Sequence, residues 1–210
     1  MLRTLATVLS ATRNSLSSYH QIHTEMSKTA LVILATGAEE MEFVIAADVL
    51  RRAGISVTVA GLTGAEPVKC SRDVVIVPDM SLENAKTNKY DVVILPGGLG
   101  GSKSLAESSL VGEILKQQEQ ENRIIAAICA APAFALPAFG IGKGKSLTSY
   151  PSFKSQLESE YKYVDDQKVV QDGNLITSRG PGTAFDFGLK IAEVLAGPEK
   201  ASEVAKGMLL

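Results

Sequence analysis

Short, continuous apolar runs alternate with segments of helical periodicity along this chain, and that alternation limits the folds available to it. Residues 29–35 form an apolar run of the kind expected for a strand buried on both faces. Residues 39–52 follow with apolar side chains at helical spacing, and this pattern ends near Gly54. Residues 55–60, Ile-Ser-Val-Thr-Val-Ala, predict a second strand. A strand, a helix and another strand in this order predict a β-α-β unit with a parallel sheet.

The same alternation continues to the C-terminus. It predicts strands at 74–77, 91–95, 124–128, 145–149, 161–164, 168–171 and 175–178, and helices at 104–120, 152–158, 184–195 and 199–208. Asp172-Gly173-Asn174 separates the last two strands and is a strong hairpin signal. Together these elements predict one domain over 26–210, a flavodoxin-like, doubly wound α/β sandwich with a mostly parallel central sheet and a small added hairpin. Such folds bind ligands at the carboxyl ends of their strands.

Composition excludes several classes of protein. The chain has 210 residues, of which 45% are hydrophobic, which suits one aliphatic core. Its formal net charge is −2 without a clustered basic stripe, so nucleic acid is not expected as a primary partner. No apolar run is long enough to predict a membrane span. Cys70 and Cys129 lack CxxC spacing and a nearby histidine, which argues against a metal site and for a reducing compartment, although a disulfide between them stays open.

Residues 1–25 differ in composition from the rest of the chain. They contain Arg3 and Arg13, many hydroxyl residues and no acidic residue before Glu25. This composition is typical of a weak mitochondrial transit peptide, and a disordered tail is the alternative. Met26 could also serve as an internal start that gives a cytosolic form. We therefore expect a cytoplasmic location, a mitochondrial location or both.

Cys129 lies where the predicted strand at 124–128 breaks sharply into a helix. A strand-to-helix elbow projects its side chain above the sheet, and the first amides and the dipole of the helix would stabilise a thiolate there. The alternative is a small buried hydrophobic residue, which is what free cysteine most often is. The only histidines, His20 and His23, lie near the N-terminus, so a Cys-His dyad is not expected in this domain.

Glu42 is the second candidate catalytic residue because it shares a helix face with apolar side chains. A carboxylate there must be protonated, hydrogen-bonded or at a cleft, and burial beside a thiolate would raise its pKa and make it a proton donor. The alternative is an amphipathic helix whose polar rim includes this position. The glycines at 97, 98, 100 and 101 predict a tight turn that presents N–H groups as an oxyanion site, although a plain glycine-rich loop is an equal alternative. Cys70 is expected to have no catalytic role.

Several motifs resemble those of the DJ-1/PfpI superfamily, and the resemblance extends from Met26 to the C-terminus. They are Gly37-Ala-Glu-Glu-Met-Glu42, Val57-Thr-Val-Ala-Gly61, Cys70-Ser-Arg-Asp-Val74, Asp91-Val-Val-Ile-Leu-Pro-Gly-Gly98, Ala126-Ala-Ile-Cys-Ala130 and Thr177-Ser-Arg-Gly-Pro-Gly-Thr183. The resemblance implies a homodimeric flavodoxin-like protein. It also implies cofactor-independent glyoxalase and protein deglycase activity on dicarbonyl aldehydes or glycated side chains, together with protection against oxidative stress.

The resemblance also assigns site residues. It implies that Cys129 is a reactive thiol that oxidises to a sulfinate, that Glu42 is a protonated glutamate beside it, and that the backbone amides of Gly98 and Ala130 face the sulfur. No metal or other cofactor is implied.

Three further positions carry expectations of the same kind. Arg72 matches an arginine near the pocket, although an ordinary surface arginine is the default, and Arg52 matches one contributed by the dimer partner. Tyr150 stands where the family often has a histidine near the thiol, and Ala131 replaces a glycine just after the elbow. These departures argue against Cys-His protease chemistry.

Two functions of different classes fit these residues. In the first, the Cys129 thiolate adds to methylglyoxal or a related adduct and Glu42 moves a proton. In the second, Cys129 is a redox sensor, and its oxidation to sulfinate regulates stability, chaperone activity or partner binding. A glutamine amidotransferase-like hydrolase ranks last, because it requires a histidine partner for the nucleophile.

Overall fold

The computed structural model describes residues 27–210, so the predicted targeting segment at 1–25 lies outside the described residues. The strands in chain order are β1 Thr29–Leu34, β2 Ser56–Gly61, β3 Val68–Lys69, β4 Val75–Ile76, β5 Met80–Ser81, β6 Val92–Leu95, β7 Ile124–Ile128, β8 Ser146–Leu147, β9 Lys162–Tyr163, β10 Val169–Asp172 and β11 Leu175–Ser178. Seven of them form the central sheet in the order β10-β11-β7-β6-β1-β2-β5. All neighbours in it are parallel except β10 and β11, which form the predicted hairpin.

Helices cover both faces of this sheet. They are α1 Glu40–Arg52, α2 Leu82–Ala85, α3 Leu99–Glu107, α4 Ser109–Gln120, α5 Ala131–Phe139, α6 Lys154–Leu157, α7 Ala184–Ala196 and α8 Pro198–Gly207. Side chains alternate along β1, so Val32 packs into the core under α1 and α7, whereas Ile33 packs into the core under α3, α4 and α5. Burial on both faces explains why the central strands are continuous apolar runs. The predicted fold class is confirmed.

The structure corrects several predicted elements. The single helix expected at 104–120 is two helices, because Ser108 leaves the helical conformation and its side chain accepts a hydrogen bond from the Val111 N–H at 3.4 Å. The strands expected at 74–77 and 145–149 lie in two small sheets, β3-β4 and β8-β9, outside the central sheet. The short β5 and α2 were not predicted from the sequence. Within residues 27–210, no helix has the length and apolar character needed to cross a bilayer.

Candidate active site

Cys129 occupies a sharp elbow between β7 and α5, at the carboxyl end of the central sheet. Its φ of +65° lies in the left-handed region, which is unfavourable for a residue with a Cβ. Two backbone hydrogen bonds hold it there: its N–H donates to the Ser178 carbonyl at 3.0 Å, and its own carbonyl accepts from the Tyr150 N–H at 2.8 Å. A backbone strain of this kind costs on the order of 1–3 kcal/mol and persists where surrounding contacts enforce it. The predicted elbow is therefore present, and it lifts the partly exposed thiol above the sheet.

Glu42 lies beside this thiol on the first turns of α1. Its side chain is fully buried, its Oε2 accepts a hydrogen bond from the Gly97 N–H at 2.8 Å, and its Oε1 has no partner within residues 27–210. Burial raises the pKa of Glu42 to about 7, and the negative charge of Glu39 adds to the rise, whereas hydrogen bonds with Cys129 and Gly97 oppose it. A carboxyl group with this pKa holds and releases a proton near neutrality.

The Cys129 thiol has a raised pKa rather than the lowered one that the elbow predicted. Burial and the negative charge of Glu42 raise the pKa of Cys129 to about 12, while hydrogen bonds from the backbone N–H groups of Gly98 and Ala130 oppose the rise. The elbow amides act in the predicted direction but do not outweigh burial and the Glu42 charge, so the thiolate stays a prediction. Protonation of Glu42 removes the negative charge that raises the Cys129 pKa, so the thiolate and the carboxylic acid favour each other.

The glycine cluster after β6 forms the turn into α3. Gly98 has a φ of +84° and caps α3, and its N–H is the amide that opposes the rise in the Cys129 pKa. Gly100 and Gly101 lie inside the first turn of α3. A Cβ at Gly101 would come within 2.9 Å of the Ala38 backbone, and one at Gly97 would come within 2.5 Å of both the Cys129 Cβ and the Glu42 Oε2. Close packing around the thiol and the loop before α1 explains the glycines at 97 and 101.

The two arginines proposed for the pocket do not contact Cys129 or Glu42 within the described chain. Arg72 is exposed, and its guanidinium donates to the Ser71 carbonyl at 3.1 Å. Arg52 lies at the opposite end of α1 from Glu42, about 15 Å away at 1.5 Å per residue, and pairs with Asp48 at 2.7 Å. A role for Arg52 in a partner's site stays a prediction.

Tyr150, by contrast, borders the elbow through its hydrogen bond to the Cys129 carbonyl. Its side chain is 46% exposed.

The sequence analysis missed the residues that hold the elbow from β11. The Ser178 hydroxyl donates to the Lys168 carbonyl at 2.7 Å, and its oxygen lies 2.7 Å from the Thr183 hydroxyl. Ser178 ends the strand that pairs in parallel with β7, opposite Ile128. Ser178 could have been identified from its position at the carboxyl end of β11, a strand next to the strand that precedes the elbow.

The second cysteine is separate from this centre. Cys70 is 4% exposed, and burial together with the charges of Glu40 and Glu39 raises its pKa to about 11. Both Cys70 and Cys129 are free thiols, so the disulfide left open by the sequence is not formed. Within residues 27–210, no group of three or more potential metal-ligating side chains converges.

Comparison with known proteins bears on the family of this chain. The sequence pattern of the DJ-1/PfpI family matches residues 28–194. The chain is 69% identical over 185 residues to Protein dj-1beta of Drosophila melanogaster, covering 88% of this chain and 98% of that protein. It is 45% identical over 184 residues to the Caenorhabditis elegans protein named glutathione-independent glyoxalase DJR-1.2, covering 87% of this chain and 97% of that protein.

A solved structure shows the same relationship in three dimensions. The crystal structure of Drosophila melanogaster DJ-1beta has a TM-score of 0.87 to this fold and covers 88% of this chain and 99% of that chain, at 69% identity. The resemblance predicted from the motifs is thus confirmed by the sequence match and by the fold, and the high identity to a fly protein is consistent with an invertebrate source. This chain belongs to the DJ-1/PfpI family.

Proposed function

We propose that this protein is a cofactor-independent glyoxalase that converts methylglyoxal to lactate and acts as a deglycase on methylglyoxal adducts. The observation that carries the proposal is the buried Glu42 carboxyl, whose pKa is raised to about 7, next to the Cys129 thiol. A nucleophile paired with a group that holds and releases a proton near neutral pH is what the reaction requires. The name of the Caenorhabditis elegans relative supports the same reaction class.

The first step joins the thiol to the aldehyde. With the thiol proton on Glu42, the Cys129 sulfur forms a bond to the aldehyde carbon and the C=O π pair moves to oxygen. That oxygen takes the proton from Glu42, which gives a hemithioacetal and leaves Glu42 as a carboxylate. The N–H groups of Gly98 and Ala130, which oppose the rise in the Cys129 pKa, are placed to stabilise the developing negative charge.

The second step moves hydrogen within the adduct. The Glu42 carboxylate removes the proton from the former aldehyde carbon, and the electron pair moves through an enediol to the neighbouring carbonyl. Return of the proton to the second carbon gives a thioester of lactate, so one carbon is oxidised while the other is reduced. Water then cleaves the thioester to lactate and regenerates the thiol. The net change is the addition of one water, and no external oxidant or reductant is consumed.

The deglycase activity uses the same adduct chemistry. A hemithioacetal or aminocarbinol formed by methylglyoxal on a cysteine, lysine or arginine side chain presents the same two carbons to Cys129. Transfer of that carbon unit to the Cys129 sulfur releases the side chain, and the remaining steps are those of the free aldehyde.

A second candidate function is redox sensing by Cys129. The thiol is partly exposed, and the Gly98 and Ala130 amides favour a negative group on sulfur. Two equivalents of hydrogen peroxide, each reduced to water, would oxidise the thiol to a sulfinate and place two oxygens among these donors, with protonated Glu42 as a further donor. This state would regulate stability, chaperone activity or binding rather than turnover.

We also propose that two copies of the chain form a homodimer through the surface around the start of α1. Met41 and Val44 are neighbours on one face of α1 and are 52% and 48% exposed. Val75 and Val77 in and after β4 are 58% and 67% exposed. The β3-β4 loop hydrogen-bonds to the loop before α1 through Ser71 N–H and the Ala38 carbonyl, so the two segments that carry these exposed side chains are adjacent.

The decisive test of the proposed function measures lactate formed from methylglyoxal by the full chain. We expect turnover by the wild type, loss of turnover in Cys129→Ser, and loss in Glu42→Gln, which keeps the shape of the side chain but cannot carry the proton. Glu66→Gln, a change at an exposed carboxylate, is the matched control and should retain turnover. Wild-type turnover no greater than that of Cys129→Ser would reject the glyoxalase proposal and favour the sensor. Undiminished turnover in Glu42→Gln would reject the proton-transfer role.

A further inference from the structure

Two large, exposed side chains belong to residues whose backbone lies at or next to the Cys129 elbow. Leu99 directly follows Gly98, whose amide faces the sulfur, and is 52% exposed. Tyr150 donates its N–H to the Cys129 carbonyl at 2.8 Å and is 46% exposed. Neither side chain takes part in the thiol and carboxyl chemistry described above. Large apolar groups left in solvent beside a reactive atom are a feature of binding surfaces.

Tyr150 is held in place by its neighbours. A Cβ at Gly180 would lie 3.4 Å from the Tyr150 Cδ2, so the ring rests against the backbone that follows Ser178. Its centroid is 6.2 Å from that of Phe153, and Phe153 lies edge-to-face with Phe134 at 5.3 Å. Phe134 belongs to α5, the helix that begins at the elbow. A row of three aromatic rings therefore runs from the backbone beside Cys129 to α5, and Tyr150 is its most exposed member.

We propose that Tyr150 and Leu99 form an apolar entrance that selects α-oxoaldehydes carrying an aromatic or bulky apolar substituent over methylglyoxal. This inference rests on the proposed glyoxalase function and specifies its substrate class. When the aldehyde carbon meets the Cys129 sulfur, the substituent on the neighbouring carbonyl extends out of the site toward these side chains. A methyl group is too small to cover them, whereas a phenyl ring can pack against the Tyr150 ring. A contact between two aromatic rings raises kcat/KM by on the order of 2-fold to 10-fold.

The test compares kcat/KM for phenylglyoxal, measured as mandelate, with that for methylglyoxal, measured as lactate, in the full chain. Tyr150→Ala keeps the backbone N–H that supports the elbow and removes only the ring. We expect the phenylglyoxal to methylglyoxal ratio to fall about 5-fold in Tyr150→Ala, to be restored in Tyr150→Phe and to fall in Leu99→Ser. Val194→Ala, a change at an exposed residue of α7, is the matched control and should leave the ratio unchanged. A ratio in Tyr150→Ala within 2-fold of the wild type overturns the proposal.

A second measurement keeps this inference separate from the glyoxalase proposal. It compares the rates at which Cys129 reacts with N-phenylmaleimide and with N-ethylmaleimide, each normalised to the rate for a small free thiol. This ratio measures the preference of the entrance for a phenyl group and requires no turnover. We expect the phenyl reagent to be favoured in the wild type and this preference to be lost in Tyr150→Ala. If neither dicarbonyl is converted but the preference holds, the glyoxalase function fails and the apolar entrance stands. If methylglyoxal is converted and neither ratio changes in Tyr150→Ala, the apolar entrance is refuted and the glyoxalase function is retained.

Discussion

Gly97 should tolerate no side chain, although its backbone conformation permits one. A Cβ there would lie 2.5 Å from the Cys129 Cβ, 2.5 Å from the Glu42 Oε2 and 2.9 Å from the Ile128 carbonyl oxygen. Contacts shorter than 3.0 Å are not sustained, so Gly97→Ala must push the thiol and the carboxyl apart by at least about half an ångström. These are the two groups between which the proposed reaction moves its proton.

The expected magnitude has a structural part and a chemical part. Overpacking of a filled interior costs about 1–3 kcal/mol, which lowers the midpoint of thermal unfolding by roughly 2–12 °C for a domain of this size. A displacement approaching 1 Å at reacting groups can reduce the rate by about 100-fold. We therefore expect Gly97→Ala to lose methylglyoxal turnover by about two orders of magnitude while remaining folded at 25 °C. Calorimetry and a lactate assay on the same preparation measure both parts.

Gly100→Ala is the matched control within the same glycine cluster. A Cβ at Gly100 meets its nearest neighbour, the Gly37 Cα, at 3.6 Å, which is an ordinary contact. Gly100 also lies in α3, where alanine is intrinsically favoured over glycine by about 1 kcal/mol. Gly100→Ala should thus keep its activity and its stability. Equal activity and equal unfolding temperature in Gly97→Ala and Gly100→Ala would refute the packing argument.

Three other predictions follow from the burial or exposure of individual side chains. The pKa of Glu42 is raised from 4.5 to about 7, so between these pH values the folded protein keeps a proton that the unfolded chain releases. The free energy of unfolding should therefore fall by about 3 kcal/mol as pH rises from about 4.5 through 7. Urea titrations at several pH values measure this fall, which should be absent in Glu42→Gln. Iodoacetamide at pH 7.5 should label partly exposed Cys129 and spare buried Cys70, as read by peptide mass spectrometry; equal labelling contradicts this. Val77→Asp should shift a dimer to monomer in sedimentation equilibrium, whereas Val194→Asp should not.

The central sheet was predictable because burial on both faces leaves a direct trace in the sequence. The strands β1, β6 and β7 are almost continuously apolar, and their order with the intervening helices predicts a parallel sheet. The break at Ser108 was not predictable from periodicity, because apolar spacing continues across it and only the cap marks the end of a helix. The two-residue strands were misplaced for a related reason: a segment that short pairs according to tertiary contacts rather than to its own pattern.

Within the site, side-chain candidates were predictable and backbone contacts were not. Glu42 stood out as a carboxyl on an apolar helix face, and Cys129 as a thiol at a strand end. The Ser178 carbonyl and the close approach of the Gly97 backbone to Cys129 and Glu42 involve no side-chain group. The residue types in the sequence therefore do not indicate these contacts. They depend on which strands become neighbours, and this is known only once the sheet order is known.

Proton sharing between Glu42 and Cys129 follows from burial more than from the elbow itself. Without a histidine in residues 27–210 there is no group of ordinary pKa near 7 to take the thiol proton. Burial makes two negative charges at this place unfavourable and raises the pKa of both groups. The pair therefore keeps at least one proton at neutral pH, and that proton can lie on either group. The amides of Gly98 and Ala130 favour the form with the charge on sulfur. With a pKa of about 7 for Glu42 and about 12 for Cys129, the charge of the singly protonated pair lies mainly on Glu42 and the proton on sulfur. The elbow amides lower the free energy of the reactive form, in which Glu42 holds the proton and the sulfur is ionised.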